Sequence, residues 1–380
     1  MNDLKRVKKA LMEQKTKRLA SLDALRGFDM FWIMGGDALL VAVMGLFGVA
    51  NGWDLIGHVE WHGLHFEDFI FPTFLFMAGA SFPFSAAKSA EKGMSRFRLS
   101  LKCLLRGFLL FVIGIGYNLT YGALNFEHFR VWSVLGRIGV AWMVAALLYV
   151  WIRSIEARIG VALAILVGTT VVTVSWLAPG APAGADPFSA AWNLGCWMDR
   201  TLTGGHILCA QYDPEGFAGL VPSVVTAMLG IFAGEIVRAA GGEASGRKAL
   251  GLVGLGLVCI AMGSAFAWVF PINKKLWSPS FVLLVGGCSA LLFALFYWIV
   301  DVKGWRRWCF FFEVIGVNSI TIYLAQRLIG FRMVNNNIIV PFVKLVPCDG
   351  FVRVVSALTY VALCWLFLLW LHRRKIFLKI

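Results

Sequence analysis

The densest group of titratable side chains in this sequence lies between positions 58 and 68, where His58, Glu60, His62, His65, Glu67 and Asp68 crowd together. Imidazole accepts a proton near neutral pH, and a nearby carboxylate can orient it, so the group suits general acid–base work. On a helix His58, His62 and His65 would line one face and could hold zinc. No second set of ligands accompanies them, so a single histidine acting as base is the favoured reading and no metal is expected. Just upstream, the stretch SLDALRGFDMFWIMGGDALL is apolar enough to cross a bilayer yet carries Asp23, Arg26, Asp29 and Asp37. Asp23, Arg26, Met30, Ile33 and Asp37 follow steps of three and four, which predicts that three of the four charges share one helical face. A charge at membrane depth costs roughly 2.5–3.5 kcal/mol on insertion scales, so it faces a polar cavity or a partner. Asp37 is therefore the second candidate for the site, an ion pair with Arg137 being the bland alternative. Arg26, Arg106 and Arg137 could contact the phosphates of a bound cofactor or merely balance buried acids.

The elements that must position these groups are membrane spans. The chain has 380 residues, 59% hydrophobic and 15% charged, far from the balance of a soluble domain. Windows long enough to cross the hydrocarbon core predict about ten helices, near 21–46, 66–87, 99–122, 131–152, 159–178, 217–238, 249–270, 280–301, 310–330 and 351–372. The formal net charge is +14, but the cations sit in short loops between spans. That distribution sets orientation and argues against a nucleic-acid surface. Basic connections alternate with connections rich in acids and histidines, which predicts both termini in the cytoplasm. Residues 1–18 read as a basic cytoplasmic tail, and 19–380 as one membrane domain. The outer side collects the polar segments 47–65, 123–130 (with Glu127 and His128), 179–216, 271–280 and 331–350. The longest, 179–216, is expected to fold as a cap over the bundle.

Several motifs carry less than they suggest. GLVGLGLVC lacks the strand, the third glycine and the later acid of a dinucleotide site and reads as span packing. No P-loop, nucleophile elbow or H-E-x-x-H is present. Trp132, Trp142, Trp277, Trp305 and Trp308 are expected as interface anchors. Of the eight cysteines, Cys196 and Cys209 share the cap segment, where a disulfide would form if it faced an oxidising compartment.

SLDALRGFDMFWIMGGD, then H-x-x-W-x-G-L from His58, then EDFIFPTFLFMAG, VLGRIGVAWMVAALL, MDR, YDPEGFAGLVPSVVTAMLGIFAGEI, PINKKLWSPSF and DVKGWRRWCFFFEVIGVNSITIYL occur in that order across roughly 19–330. The series resembles the heparan-α-glucosaminide N-acetyltransferase family, in the form of a bacterial member without the large luminal extension of the lysosomal enzyme. The resemblance implies an all-α transmembrane acyltransferase that takes acetyl-CoA from the cytoplasmic side and acetylates a glucosamine amine on the far side. His58 matches the family's catalytic histidine. Asp37 stands where the lysosomal enzyme carries an asparagine, a change from a neutral to a charged group, and His62 replaces an amide. The resemblance further implies that Asp68, Asp213, Glu215, Lys275 and Trp277 surround the acceptor, and that Arg26, Arg137 and Asn318 lie along the CoA path. Relatives suggest a homodimer.

The sequence thus reads as a bacterial inner-membrane acetyltransferase acting on an amino sugar, with His58 as general base or acetyl-accepting nucleophile and Asp37 orienting it. A transporter of an amino sugar or organic anion is the alternative. Against it stands the lack of any evident pair of interrupted spans of the kind that forms a transporter's midplane site.

Overall fold

The computed structural model describes residues 19–120, 129–239, 244–346 and 348–378. The basic tail 1–18, Glu127 and His128 lie outside them. The described chain is helical, its one strand-like contact an isolated bridge between Leu177 and Asn193. The first span is α1 (Ala20–Phe31) continued by α2 (Asp37–Leu46). It is followed by α3 (Glu67–Glu91), α4 (Arg96–Leu119), α5 (Val134–Trp151) and α6 (Ile155–Ser175). The short α7 (Leu194–Leu202) belongs to the cap. Then come α8 (Phe217–Arg238), α9 (Gly246–Phe266), α10 (Pro279–Tyr297), α11 (Phe310–Gly316), α12 (Ser319–Leu328) and α13 (Asp349–Arg373). Among the described residues nine helices are long and apolar enough to span a membrane, and ten if α11 and α12, preceded by the turn at Arg307 and bent by 59°, form one broken span. This is the polytopic all-α bundle that hydropathy predicts.

Helix α8 runs through the middle, with every residue from Pro222 to Gly234 buried. It lies so close to α3 that Gly79 and Gly230 have no room for a Cβ against the facing backbone, the small-residue contact by which membrane helices approach. By contrast α4, α6 and α9 turn rows of exposed Leu, Val and Phe outward, such as Leu105, Phe108, Val167 and Leu257, as lipid-facing helices do. The buried side chains form two large clusters. One gathers α3, α5, α8 and α10. The other joins Met30 and Met34 to α11, α12 and α13. The first span belongs to both.

That span is not the continuous helix the residue spacing predicts. Trp32–Gly36 makes a π-turn, and Gly35 sits at φ 115°, a conformation that favours glycine. The break takes Asp37 out of register with Asp23 and Arg26, so the three charges do not share one face. Asp23 and Arg26 remain paired at 3.5 Å. Gln326 on α12 donates to the Ile33 carbonyl (3.4 Å) and to the Tyr360 hydroxyl (2.9 Å), so the kink does not leave that carbonyl bare in the membrane. Two interrupted spans therefore exist, α1–α2 and α11–α12, where the sequence suggested none. The cause is local: Gly35 and the Val317–Asn318 junction end their helices without a proline to announce it.

Candidate active site

The site forms where two connections meet on the face opposite the basic loops. The loop 57–66 packs on the turn 271–278 through the Gly63 amide, which donates to the Ile272 carbonyl (2.9 Å). Asn273 Nδ2 meets His62 Nδ1 at 3.3 Å. The turn itself is tight: Asn273 Oδ1 accepts from the Leu276 amide, and Ser278 Oγ accepts from Asn273. Trp277 takes φ 52° there, a left-handed conformation costing a non-glycine residue about 1–2 kcal/mol. It is held by complete burial, a bond from Nε1 to Thr226 and edge contacts with Phe71 and Phe281. The turn thereby drives Lys274 inward.

Asp68, fully buried in the first turn of α3, is the centre. Its Oδ1 accepts from His58 Nδ1 (2.9 Å) and Lys274 Nζ (3.2 Å), and its Oδ2 accepts from the amides of His65 (3.0 Å) and Val59 (3.4 Å). Four donors suit an ionised carboxylate. With the Nδ1 proton committed to Asp68, His58 Nε2 keeps its lone pair. Lys274 also lies 3.2 Å from His58 Nδ1, but an ammonium and an N–H cannot donate to each other, so Asp68 is the shared acceptor. The His58 side chain is 50% exposed and Nε2 stands 3.7 Å from Glu67, so this nitrogen is accessible. Its hydrogen bond to Asp68 acts to raise the imidazole pKa, but burial together with the charges of Lys274 and Lys275 outweighs it, and the net shift is downward. Burial draws the Lys274 ammonium down to about 8 against the pull of Asp68. A histidine neutral at pH 7 beside a lysine still charged is a base ready to act.

Glu67, whose Oε2 lies 3.7 Å from His58 Nε2, is also close enough to Asp37 for the two carboxyl groups to act on one another. Asp37 lines a cavity of about 890 Å³ between α2, α13 and the segment 332–340. The chain of contact is thus His58, Glu67, Asp37, cavity. Placing Asp37 on this wall is the consequence of the kink at Gly35.

Other residues singled out in the sequence do not join this cluster. Asp213 and Glu215 are bound by Arg130, which donates from Nε to Asp213 Oδ2 (2.7 Å) and reaches Glu215 through Nη2. Asp213 also accepts from the amides of Leu208 and Glu215, leaving it little capacity for a ligand. Arg137 does not pair with Asp37 and is remote from the basic face. It is fully buried, donates to the carbonyls of Glu215 (3.2 Å) and Gly216 (2.7 Å) and lies 5.0 Å over the Trp277 ring. Asn318 stands at the α11–α12 break, its Nδ2 on the Ile376 carbonyl beyond the last span, so it belongs to the basic face with Asp23 and Arg26. Lys275 is half-buried beside the cluster, and it is its neighbour Lys274 that reaches Asp68. Nothing in N-K-K-L distinguishes the two lysines until the turn is known. Lys274 and Arg130 do not stand out in the sequence, and Glu67 stands in the titratable group there without a role of its own. The adjacent acids at 67–68 were the available signal for Glu67.

Residues of the segment 179–216 touch this region. Trp61 Nε1 donates to the Phe188 carbonyl (2.9 Å), and Cys196 packs with Phe270 and Leu276. Cys196 and Cys209 are separate thiols. Buried Asp199 accepts from the amides of Phe217 (2.6 Å) and Asp213 (3.2 Å), and burial pushes its carboxyl up to about 6. Among the described residues no group of histidine, cysteine and carboxylate ligands could hold a metal. His65 Nδ1 faces the Gly57 carbonyl instead (3.0 Å).

No protein-family model matches the chain. It is similar over 371 residues to the heparan-alpha-glucosaminide N-acetyltransferase of Mus musculus, at 30% identity over 83% of this chain and 55% of that protein. The same name belongs to a Homo sapiens protein similar over 375 residues, with the same identity and coverage. The chain spans about half the length of the curated relatives it matches. With the membrane bundle and the motif order in agreement, the chain belongs, as a distant member, to the heparan-α-glucosaminide N-acetyltransferase family.

Proposed function

We propose that the protein transfers an acetyl group from acetyl-CoA to the amino group of a glucosamine-type sugar, with His58 at the centre. The observation that carries this reading is the geometry of His58: Nδ1 held by buried Asp68, Nε2 open, and a carboxyl chain leading to a cavity large enough for a sugar. An amine binds as its ammonium ion, which has no lone pair to attack a thioester. His58 Nε2 takes one proton as the nitrogen attacks the carbonyl carbon. The C–N bond forms and the C–S bond breaks. The imidazolium returns its proton to the departing thiolate, and the amide nitrogen releases its second proton at the mouth. Asp68 fixes the ring, burial and the charge of Lys274 keep it neutral, and Asp37 and Glu67 receive the ammonium. An acetyl-histidine intermediate uses the same lone pair, with Nε2 attacking the thioester first.

The CoA phosphates would be held on the basic face. There Arg26 and Arg106 repel one another across α1 and α4, Arg106 lies 4.6 Å over the Trp142 ring, and its Nε has no partner among the described residues. This pair replaces Arg137 in the donor path. The alternating basic loops favour a bacterial inner membrane with both termini in the cytoplasm, so that thioester and amine would approach from opposite sides.

A carrier is the second reading, and the two broken spans favour it. Purified protein in detergent, given labelled acetyl-CoA and glucosamine, separates the two. Labelled N-acetyl product identified by mass establishes the transferase. Unmodified sugar, taken up only by sealed vesicles, establishes the carrier.

A further inference from the structure

The cavity beside Asp37 is built for more than an amine. The charged residues on its walls are Asp37, Arg332 and Arg353, two guanidinium groups against one carboxyl. A plain hexosamine, itself a cation, would enter a cavity whose walls are already net positive. Arg353 makes no hydrogen bond or ion pair among the described residues. Arg332 lies 5.7 Å over the Tyr360 ring, a contact that leaves most of its N–H donors unused. Buried Asn335 donates to the Ser356 carbonyl (3.0 Å) and accepts from Thr359 (2.7 Å), which ties the 332–340 segment to α13. Asp37 lines the same cavity from α2, near Glu67.

We infer that the acceptor is an amino sugar that also carries an acid group: its ammonium lies at Asp37 and Glu67, and its carboxylate or phosphate is held by Arg332 and Arg353. Arginine is suited to that task because its planar fork meets two acid oxygens at once. A volume of about 890 Å³ leaves room for such a substituent beyond a single sugar ring. The inference rests on the transferase reading above and adds the sign of the second charge.

The test uses the full chain in detergent with three acceptors: glucosamine, glucosamine 6-phosphate and muramic acid. The acid-bearing sugars are expected to show a KM at least about tenfold below that of glucosamine, the scale of one charge-assisted hydrogen bond. Arg353→Gln and Arg332→Gln should erase that difference, and Arg353→Lys should restore part of it. Equal KM values for charged and neutral acceptors in the unmodified protein would overturn the inference while leaving the transferase intact. So would variants that raise all KM values alike. If no acceptor is acetylated, the transferase reading fails, and thermal shift decides the site independently. Greater stabilisation by glucosamine 6-phosphate than by glucosamine, lost in Arg353→Gln, supports it; no difference overturns it. Stabilisation by inorganic phosphate equal to that by glucosamine 6-phosphate would reduce the site to one for a free anion and overturn the acceptor assignment.

Discussion

Two ionic clusters sit on the same face of the bundle, and they differ in what they leave unpaired. In the cap anchor, Arg130, Asp213 and Glu215 saturate one another, Arg137 clasps the following carbonyls, and Asp199 takes the amides on either side. Asp213 is fully buried. In the other cluster Asp68 is just as buried, but its charge is used to hold an imidazole whose far nitrogen faces outward. The first arrangement spends its charge on holding 130–137 to 199–217. The second spends it on orienting an imidazole. Both draw on the same physics, that a buried charge must be paired, and only the second ends in an open lone pair.

The comparison can be broken by substitution. His58→Ala should abolish acetyl transfer, by a factor on the order of 10³ or more, while the melting temperature and acetyl-CoA binding stay near those of the unmodified protein. Retained turnover in a labelled-acetyl assay would remove His58 from the role. Arg130→Gln should do the reverse. It strands Asp213, and breaking a buried pair costs about 3–5 kcal/mol, so thermal melting should fall sharply while turnover per folded molecule holds. A melting curve unmoved by Arg130→Gln would show that the cap does not depend on this anchor.

Smaller changes sharpen the same contrast. Glu67→Gln weakens the link between His58 and Asp37 and should lower kcat by roughly ten- to a hundredfold; an unchanged kcat would separate the cavity from the chemistry. The pH profile should be bell-shaped. In the proposed mechanism His58 acts only when neutral, and its pKa lies below the ordinary value of 6.5, so activity should rise with pH on an acid limb beneath that value. Lys274 acts only when charged, so activity falls as pH passes about 8. Lys274→Arg stays protonated and should move the alkaline limb upward, and a limb that does not move would assign it to another group.

Much of this was legible in one dimension. The spans were found within a few residues of their ends because an apolar run long enough to cross a bilayer has few other fates. His58, Asp37 and Asp68 stood out because titratable groups at a span's mouth are rare. What misled was the assumption of a continuous helix from Asp23 to Asp37. A single Gly35 at positive φ cancelled it, and many glycines in spans do nothing of the kind.

Composition and periodicity by themselves determined an all-α membrane bundle, its span order and the imidazole at its mouth, since burial of apolar length is additive along a chain. Pairing is not additive. That Lys274 and not Lys275 reaches Asp68, that Asp213 is consumed by Arg130, and that Asp37 shares a cavity with two arginines on distant segments depend on backbone turns that bring together residues far apart in the chain. Only the tertiary structure decides which buried charge finds which partner, and which nitrogen is left over to react.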